Sequence, residues 1–519
     1  MTKRIICFAA LALALMPAAA QETYENAKIA TEDLNGTARY IGMGGAMEAL
    51  GTDISTISTN PAGIGLCRKS SFSLSAGLVS QQDAQNFGGG HTTNVSFDQI
   101  GFVWANQISP TSHVNFAFNY HKSRNFNQIL SASGLLSGAA QNKCTSTKQD
   151  NGLLYGTKAD GSPDFDRSYS SCTIVDDLYS RNLNYNLTDN QWYYFNGEEY
   201  VFNRSHSGYI GEYDFNLSGN SNNTFYWGIT VGLHDVHYSH YSEHSENLKG
   251  GYGSTPTALG VTIADDRIIT GTGADVKVGA IFRPIAESPF RFGISVATPT
   301  WYDLTTSAYV TYNDNTGVSG SNTDEYKFKL YTPWKFGVSA GHTIGTNLAL
   351  GLSYEFADYS SLDSRQYSDG YYDSYIYTRS DTEMNRHTEK TLKGVSTLKV
   401  GAEFKPDPAV AVRLGYNYVS PMYDKDGFKD SWISSMGSYH SSNTDFTNWE
   451  ATHRITCGVG VQLDKWNLAA AYQYNIQKGT FYPFDSYYDS TDPTYDNIVD
   501  GVKVNNKRHQ FLLTLGYTF

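Results

Sequence analysis

A group of four histidines offers metal-binding chemistry in the middle of the chain: His234, His237, His240 and His244. Imidazole nitrogens can coordinate zinc or haem iron. In a strand, successive side chains alternate between faces, so His234 and His237 would point in opposite directions. Only a helical loop would align the last three. Because tyrosines are interleaved with these histidines, we interpret the segment as an ordinary strand end and predict no metal site.

Other motifs that carry chemistry are incomplete. The segment Asp424-Lys-Asp426-Gly427 offers oxygen ligands for calcium, but it matches no complete EF-hand loop, so a solvated loop is the simpler interpretation. The glycines of Gly42-Met-Gly44-Gly45 do not form a GxGxxG, which argues against a dinucleotide. The sequence contains no HExxH. We therefore predict that the chain is not an enzyme and has no catalytic residues and no cofactor.

Composition narrows the fold class. Of 519 residues, 39 are tyrosine and 48 are glycine, but only 14 are proline. The mean hydropathy of −0.41 is too polar for a bundle of membrane helices. The aromatic content of 14% is too high for a disordered chain. The net charge is −13 and basic runs are missing, so nucleic acid is an unlikely partner and a large β-rich protein remains.

The N-terminus has the pattern of a secretory signal peptide over residues 1–20. The pair Lys3-Arg4 forms a short positive region, and the apolar run from Ile5 to Met16 is too short to span a bilayer. The small residues Ala18-Ala19-Ala20 then offer a cleavage site, which predicts a mature start at Gln21.

Export would place the cysteines in an oxidising compartment. Cys144 and Cys172 lie in one polar, irregular stretch and are candidates for a loop disulfide. Cys67 and Cys457 are expected to stay unpaired. The sequence has no CxxC, which argues against a zinc knuckle.

Alternation with a period of two recurs along the chain. One face of the last such segment carries His509, Phe511, Leu513, Leu515, Tyr517 and Phe519. The same pattern occurs at 466–476, 347–356 and 334–341. A half-buried strand has this period because successive side chains point to opposite faces. The polar face carries small side chains, as expected of residues that line a water-filled lumen, and the apolar face ends in aromatic residues. Both features favour a transmembrane barrel over a soluble sandwich.

The alternation predicts an all-β fold, a 14-stranded antiparallel transmembrane β-barrel over residues 71–519. Its strands are expected to start near Ser71, Val95, Ser112, Ser207, Thr224, Gly273, Pro289, Pro333, Asn347, Ser396, Pro408, Thr452, Lys465 and Arg508. Short connections are expected after every second strand, and the other connections are long, at roughly 80–94, 123–206, 239–272, 300–332, 360–395, 420–451 and 477–507. Short periplasmic turns and long extracellular loops are typical of outer-membrane barrels.

Residues 21–70 lack this alternation and precede the first strand. Glycines and alanines make the segment a run of turns and short helices. Asn60 is a good helix cap directly before Pro61, which favours the first helical position. Since fourteen strands enclose a lumen wider than side chains alone can fill, we predict that this segment folds inside the barrel as a hatch or plug.

The motif Gly36-Thr-Ala-Arg-Tyr-Ile-Gly-Met-Gly-Gly-Ala46, followed by Asp53 and Asn60-Pro-Ala-Gly-Ile64, resembles the hatch of FadL/TodX-type outer-membrane transporters. The resemblance implies that the hatch motif comprises Gly36, Ala38, Arg39, Gly42, Gly44, Ala46, Asn60, Pro61 and Ala62. It also implies a monomeric barrel that passes hydrophobic small molecules, above all long-chain fatty acids, across the outer membrane. Relatives have been labelled haem receptors, and one branch serves a protein-secretion system, so both alternatives stay open. The long loops, especially 123–206, leave the ligand undecided.

The alternation points twelve charged residues into the lumen: Glu212, Asp214, Asp275, Lys277, Arg283, Arg291, Lys335, Glu355, Lys399, Glu403, Arg413 and Arg454. Inward positions are expected on stability grounds alone, because an Arg or Lys facing lipid at the bilayer midplane costs roughly 2–4 kcal/mol. These charges could form mutual ion pairs that anchor the plug. Alternatively, one or two cations among Arg283, Arg291, Lys335, Lys399, Arg413 and Arg454 bind a fatty-acid carboxylate.

The predicted partners follow from this interpretation. They are a hydrophobic small molecule, the lipid of the outer membrane, and the barrel-assembly machinery through the C-terminal strand that ends in Phe519. The resemblance implies a passive transport mechanism, from extracellular capture to a pocket in the barrel and out through a lateral opening.

Overall fold

The computed structural model describes residues 22–250, 259–285, 287–368, 377–488 and 496–519. The predicted signal peptide, residues 1–20, lies outside the described residues. The helices are α1 (Thr23–Ala30), α2 (Ala38–Gly42), α3 (Gln141–Asp150), α4 (Ile174–Tyr179), α5 (Thr382–Thr391) and α6 (Met436–Tyr439), with 3-10 turns at Ile54–Ser58, Pro61–Leu66 and Tyr359–Ser361 and a π-helical turn at Ser180–Asn184. Within the described ranges, none of these helices is both long and apolar enough to cross a bilayer.

The strands are β1 (Ser71–Gln82), β2 (Thr93–Ser109), β3 (Ser112–Asn125), β4 (Gln128–Leu135), β5 (Tyr155–Thr157), β6 (Pro163–Ser168), β7 (Tyr185–Asn186), β8 (Gln191–Trp192), β9 (Asn196–Ser221), β10 (Phe225–Lys249), β11 (Leu259–Phe282), β12 (Arg291–Ala297), β13 (Trp301–Asp314), β14 (Ser319–Tyr331), β15 (Lys335–Ile344), β16 (Leu348–Asp358), β17 (Asp363–Ser368), β18 (Tyr377–Ser380), β19 (Gly394–Asp407), β20 (Val410–Val419), β21 (Phe446–Leu463), β22 (Trp466–Tyr482) and β23 (Val502–Thr518).

The large sheet closes on itself as a barrel of fourteen antiparallel spans. Several spans are interrupted and consist of two strands in sequence: β3 with β4, β12 with β13, β14 with β15, β16 with β17, and β18 with β19. The ring closes where β1 pairs with β23, from Ser71↔Thr518 to Gln82↔Lys507. The predicted strand number and antiparallel order are therefore confirmed, whereas the predicted alternation of short and long connections is incomplete, since only residues 315–318 join β13 to β14.

The spans on the long-connection side extend much further than predicted. β10 and β11 pair without interruption from Phe225↔Phe282 to Leu248↔Leu259, through most of the expected 239–272 loop. The expected 300–332 loop is the hairpin of β13 and β14. On these extended spans the outer face is largely polar, whereas inner-face residues such as Val261, Val310 and Tyr312 are buried in a hydrophobic cluster. The apolar outer face that marks the rest of the barrel is therefore missing there, although the backbone pairing continues.

The outside of the barrel is apolar. Along β23, Phe511, Leu513 and Leu515 point outward and are exposed, whereas Leu512 on the opposite face is buried. Exposed apolar side chains follow the same rule on the other spans. A closed sheet that turns its apolar face outward satisfies its backbone internally, and this is the design of an outer-membrane β-barrel that crosses lipid many times.

Residues 22–66, which we call the plug, fill the lumen and are almost entirely buried. Their backbone lies directly against glycines on the inner face of neighbouring spans. A Cβ atom at Gly351 would collide with the carbonyl oxygen of Ala46, and one at Gly415 would collide with the backbone of Gly44. Because glycine has no side chain, these positions of the wall let the plug backbone approach closely.

The loop between β4 and β9 forms a small extracellular layer around α3 and α4. Its centre is a buried ion pair in which Lys148 Nζ lies 2.6 Å from Asp176 Oδ2. The structure corrects the expected disulfide in this layer, because the Cys144 and Cys172 thiols are both free and both buried. Cys144 packs against Phe481 and Phe484, whereas Cys172 packs with Leu154 and Tyr155 in a separate cluster.

Candidate functional site

A cavity of about 220 Å³ lies between the plug and the barrel wall. Its lining combines charged residues with an apolar wall of Phe126, Tyr359, Val395, Tyr423 and Trp449. The plug contributes residues 31–35 together with Lys28 of α1. The cavity therefore offers both apolar surface and charge to the same bound molecule.

Three arginines surround a single carboxylate on one side of this cavity. Arg124 NH1 lies 3.1 Å from Asp33 Oδ1, and Arg454 NH2 lies 3.8 Å from the same oxygen. Arg508 also acts on Asp33 through its charge. Although burial favours the neutral acid, the charges of Arg124, Arg508 and Arg454 hold the pKa of Asp33 below its ordinary value.

This arginine cluster, Arg124, Arg454 and Arg508, carries more positive charge than Asp33 can balance. The Nε atoms of Arg124 and Arg454 are buried and have no hydrogen-bond partner among the described residues. Arg454 is otherwise held by Asn417 Oδ1, at 2.8 Å from NH1. Unused guanidinium donors beside an apolar wall are suited to a carboxylate or another anionic head group.

The six predicted lumen cations separate into two groups. Lys335, Lys399 and Arg454 line the cavity. Lys335 is paired with Glu32 of the plug, and Lys399 Nζ lies 2.8 Å from Glu48 Oε1. Arg454 alone of these three retains a buried donor without a partner in the described part of the chain.

The other three predicted cations lie away from the cavity lining. Arg413 Nε donates to Glu403 Oε2 at 2.7 Å, and Arg291 NH1 donates to the carbonyl of Leu50 at 2.9 Å. Arg283 lies in a short turn, where its Nε donates to the carbonyl of Ser288 at 2.9 Å. Arg291 thus contacts the plug, and Arg413 shares the carboxylate of Glu403 with Arg39 of the plug. These contacts agree with the interpretation that the lumen charges anchor the plug.

Several cavity cations were missed by sequence reasoning. Arg508 stands at an inward position of β23 and could have been found from the alternation. Arg124 could not, because the pairing of β3 with β9 shifts register between Lys122 and Arg124 and so changes which face the next residues occupy. Arg204 lies in the part of β9 that was expected to be a loop.

The hatch motif residues hold the plug in place. Arg39 binds Glu403 with two hydrogen bonds, from Nε at 3.0 Å and from NH2 at 3.1 Å. Asn60 caps the 3-10 turn that begins at Pro61, since its Oδ1 accepts from the Ala62 amide at 3.2 Å. Gly42 lies against the Gly458 backbone, and Gly36 adopts a positive φ of 144°. Ala38 and Ala46 are buried.

α1 covers the cavity at the long-loop end. Tyr24 stacks on Tyr423 with ring centroids 5.0 Å apart, and Thr23 bonds to His387 and Thr388 of α5. Lys28 Nζ lies 3.3 Å from Glu25 Oε2. Burial lowers the pKa of Lys28 to about 8 despite this carboxylate.

The wall has an opening beside the cavity. β2 pairs with β3 only from Gln99 to Ser109, although β2 pairs with β1 as far as Thr93. The plug residue Asn35 spans the gap, donating to Asp98 Oδ1 and to the Lys122 carbonyl, both at 3.0 Å. A smaller space shares Asp33, Asn35 and Arg508 with the main cavity and reaches Asp98 and Lys122.

The histidine segment lies within β10 rather than at its end. His234, His240 and His244 point inward and are buried, whereas His237 points outward. The opposite orientation of His234 and His237 agrees with the strand prediction. In the predicted acidic loop, Asp424 Oδ1 accepts from the Asp426 amide at 3.1 Å, which is an ordinary turn contact.

One segment matches a hydrolase sequence motif but does not have the backbone structure that the motif requires. Residues Gly337–Gly341 have the spacing GxSxG, but they lie inside β15. The motif requires a serine on a sharp turn from strand to helix, and Ser339 is instead buried in a continuous strand. This segment therefore provides no nucleophile.

Known proteins with similar structures are outer-membrane channels. A crystal structure of a Pseudomonas aeruginosa FadL homologue is 12% identical over 94% of this chain and 100% of that chain, with a TM-score of 0.49. The Ralstonia pickettii toluene transporter TbuX is 12% identical over 94% and 99%, with a TM-score of 0.47. The P. putida toluene transporter TodX is 13% identical over 94% and 99%, with a TM-score of 0.47.

No protein-family model and no curated protein sequence matches the chain. The class of protein defined by the fold of this chain is a fourteen-stranded outer-membrane β-barrel with a plug in its lumen.

Proposed function

We propose that the protein is a passive outer-membrane transporter for hydrophobic molecules that carry an acidic head group, with long-chain fatty acids as the leading substrate class. The observation that carries this proposal is the arginine cluster beside the apolar wall of the cavity. Arg124, Arg454 and Arg508 face one carboxylate, Asp33, and two of the guanidinium groups keep buried donors unused among the described residues. A second carboxylate would lower the excess positive charge of this cluster from +2 to +1 and would occupy the unused donors.

The apolar wall supplies the driving force for capture. Each buried CH₂ group contributes about 0.8 kcal/mol, so a long acyl chain leaves water favourably. Phe126, Tyr423 and Trp449 provide apolar surface close to the arginine cluster. The molecule then moves down its own gradient, and the chain needs no energy source.

The exit route that we propose is the gap between β2 and β3. The space that connects the cavity to this gap is bounded by Asp33, Asn35 and Arg508. Three side-chain hydrogen bonds close it, two from Asn35 and one from Lys122 Nζ to Ser96 Oγ at 2.8 Å. A small movement of the plug would open a lateral path into lipid without unfolding a strand.

The alternative roles lack a comparable observation. Haem binding through the clustered histidines meets the difficulty that His237 faces outward while the others face inward. A protein-secretion role gains no specific support from the described surfaces. Transport of a small amphiphile is therefore the function that the geometry favours.

A fluorescent fatty-acid titration of the purified barrel in detergent tests this function. We expect saturable binding that unlabelled oleate displaces and that methyl oleate, which lacks the acid, displaces more weakly. The double variant R454Q/R508Q should bind oleate at least about 10–100-fold more weakly, since the loss of even one hydrogen bond to a charged group costs about 1.5–3 kcal/mol. It should also lose the preference for oleate over the ester.

The matched control is Lys503→Gln, which removes a lysine of β23 whose side chain is 76% exposed. Its affinity for oleate should equal that of the wild type. Absence of saturable binding would exclude the fatty-acid function. Equal binding of acid and ester by the wild type would exclude the arginine cluster as the head-group site.

A further inference from the structure

A second polar cluster lies on the inner wall beside the cavity and takes no part in the proposed transport. Four adjacent spans, β3, β9, β10 and β11, bring together His121, Glu212, Asp214, His234, Asp275 and Lys277. All six residues are buried. His121 also lines the cavity, so the cluster has access to it.

The charges of this cluster do not balance. Lys277 Nζ lies 2.5 Å from Glu212 Oε1, 2.7 Å from Asp275 Oδ1 and 3.5 Å from Asp214 Oδ1. With neutral histidines and all three carboxylates ionised, the single ammonium leaves a net charge of −2, and a proton held on one carboxylate leaves −1. Uncompensated buried charge is costly, and one divalent cation would neutralise it.

Lys277 contacts one oxygen of each carboxylate, and only in Glu212 and Asp214 does the other oxygen lack a hydrogen bond at normal distance within the described residues. The free oxygens of Glu212 and Asp214 are those that face His121. His121 Nε2 lies 3.6 Å from Glu212 Oε2, and His121 Nδ1 lies 3.5 Å from Asp214 Oδ2. Neither His121 Nδ1 nor Asp214 Oδ2 has a hydrogen-bond partner among the described residues. A buried imidazole nitrogen and a buried carboxylate oxygen thus face each other unsatisfied.

The spacing of these atoms fits ligands of one metal ion. Ligands held at about 2.0–2.1 Å around a tetrahedral ion lie roughly 3.3–3.5 Å apart. The two separations above exceed a good hydrogen bond and are close to this value. They involve the two different nitrogens of His121, so one ion would take only one of these nitrogens as its ligand. One ligand atom each from His121, Glu212 and Asp214 lies within 4.8 Å of the other two.

The neighbouring triad of Glu212, His234 and Asp275 is less suited to an ion. His234 Nε2 lies 2.9 Å from Asp275 Oδ2, at hydrogen-bond distance. Thr300 Oγ1 donates to the same oxygen at 3.2 Å. These contacts already use the ligand atoms that a metal would need, so we assign His234 and Asp275 a structural role.

We propose that His121, Glu212 and Asp214 form a binding site for a divalent transition-metal ion of the Zn²⁺ class. An imidazole with two carboxylates suits zinc and its neighbours, whereas calcium and magnesium prefer oxygen ligands alone. Bound there, the ion would join β3 to β9. The proposal departs from the sequence prediction of no metal site, because His121 lies far from the four clustered histidines along the chain.

Metal titration of the folded barrel in detergent tests the proposal. The probes are Zn²⁺ by calorimetry and Co²⁺ by its visible absorption. We expect one equivalent to bind the wild type and to raise its thermal midpoint, because an ion that binds only the folded state stabilises it. His121→Gln and Asp214→Asn should each weaken Zn²⁺ binding by at least about 100-fold, since even outer-shell changes cost 10–100-fold.

His237→Gln is the matched control, because this histidine is exposed on the outside of β10 and should leave Zn²⁺ affinity unchanged. X-ray absorption of the zinc-loaded wild type tests the proposal even where a variant fails to fold, and should give one imidazole with oxygen ligands. A wild type that binds no Zn²⁺ would overturn it, and so would a coordination shell with several imidazoles. Undiminished binding by folded H121Q would overturn it as well.

Discussion

Removing the negative charge of Glu403 should release the plug from the barrel wall. Glu403 is 4% exposed and accepts three hydrogen bonds from two arginines, two from Arg39 at 3.0 and 3.1 Å and one from Arg413 at 2.7 Å. Glu403→Gln keeps the size of the side chain but removes the carboxylate that binds both guanidinium groups and leaves them only the weaker influence of Asp53. Breaking a buried ion pair on one side costs about 3–5 kcal/mol.

That cost falls on plug docking rather than on the barrel, because the strand pairing does not depend on this carboxylate. At about 1.4 kcal/mol per tenfold change, the population of undocked plug should rise between about 100-fold and several thousand-fold. Hydrogen exchange of the α2 amides measures this population. Conductance of single barrels in a planar bilayer should show more frequent large openings.

Glu198→Gln is the control for this experiment, since Glu198 is exposed and pairs with exposed Lys249 at 3.1 Å. An exposed pair contributes about 0–1 kcal/mol, so exchange and conductance should barely change. If the α2 amides of folded E403Q exchange as slowly as those of the wild type, the plug is not held by this carboxylate and the argument from buried charge fails.

Three further perturbations act on the plug. Asn35→Ala removes the two hydrogen bonds that the plug makes at the gap between β2 and β3, and together with Lys122→Met, which removes the third, it should speed transfer of bound fatty acid into vesicle lipid several-fold; an unchanged rate would place the exit elsewhere. Gly351→Val should displace the plug backbone at Ala46 and raise its hydrogen exchange, whereas Gly516→Ala, whose Cβ would meet nothing closer than 3.5 Å, should not. The pKa of Lys28 is about 8 in the folded protein and about 10.5 when exposed, so the docked helix binds fewer protons than the undocked one in this window. Docking of α1, measured by protease protection, should therefore strengthen as pH rises from about 8 to 10.5, by a total on the order of 3 kcal/mol, and Lys28→Met should abolish the effect.

The membrane-spanning part of the fold could be predicted because lipid and lumen impose opposite demands on neighbouring residues. Leu513 and Leu515 alternate with Leu512 and Thr514 for this local reason, and all fourteen spans follow from such segments. Above the membrane the demand disappears. The ribbon of β10 continues to Lys249 with histidine, serine and tyrosine on both faces, so its pairing leaves no apolar signature in the sequence.

The candidate site was predicted less completely, because it depends on contacts between distant segments. Lys335, Lys399 and Arg454 follow from alternation within single strands. Asp33 lies in the plug, where the sequence has no alternation of apolar and polar residues that could predict its orientation. Arg124 follows a register shift that becomes visible only when the pairing of β3 with β9 is known. The unpaired state of the two buried cysteines likewise depends on where α3 and α4 pack, which spacing along the chain does not determine.

The closing seam between β1 and β23 also has a consequence for how the molecule is made. The seam is the one contact in the ring that joins the first span to the last, and only residues 67–70 separate the plug from β1. If the ring closed before the plug had collapsed, residues 22–66 would have to thread through a finished cylinder from one end. If the plug collapses first, the spans can be laid around it and the seam completes the enclosure. The order of two folding events, collapse of residues 22–66 and closure of the seam, therefore decides whether the lumen of the finished barrel contains the plug.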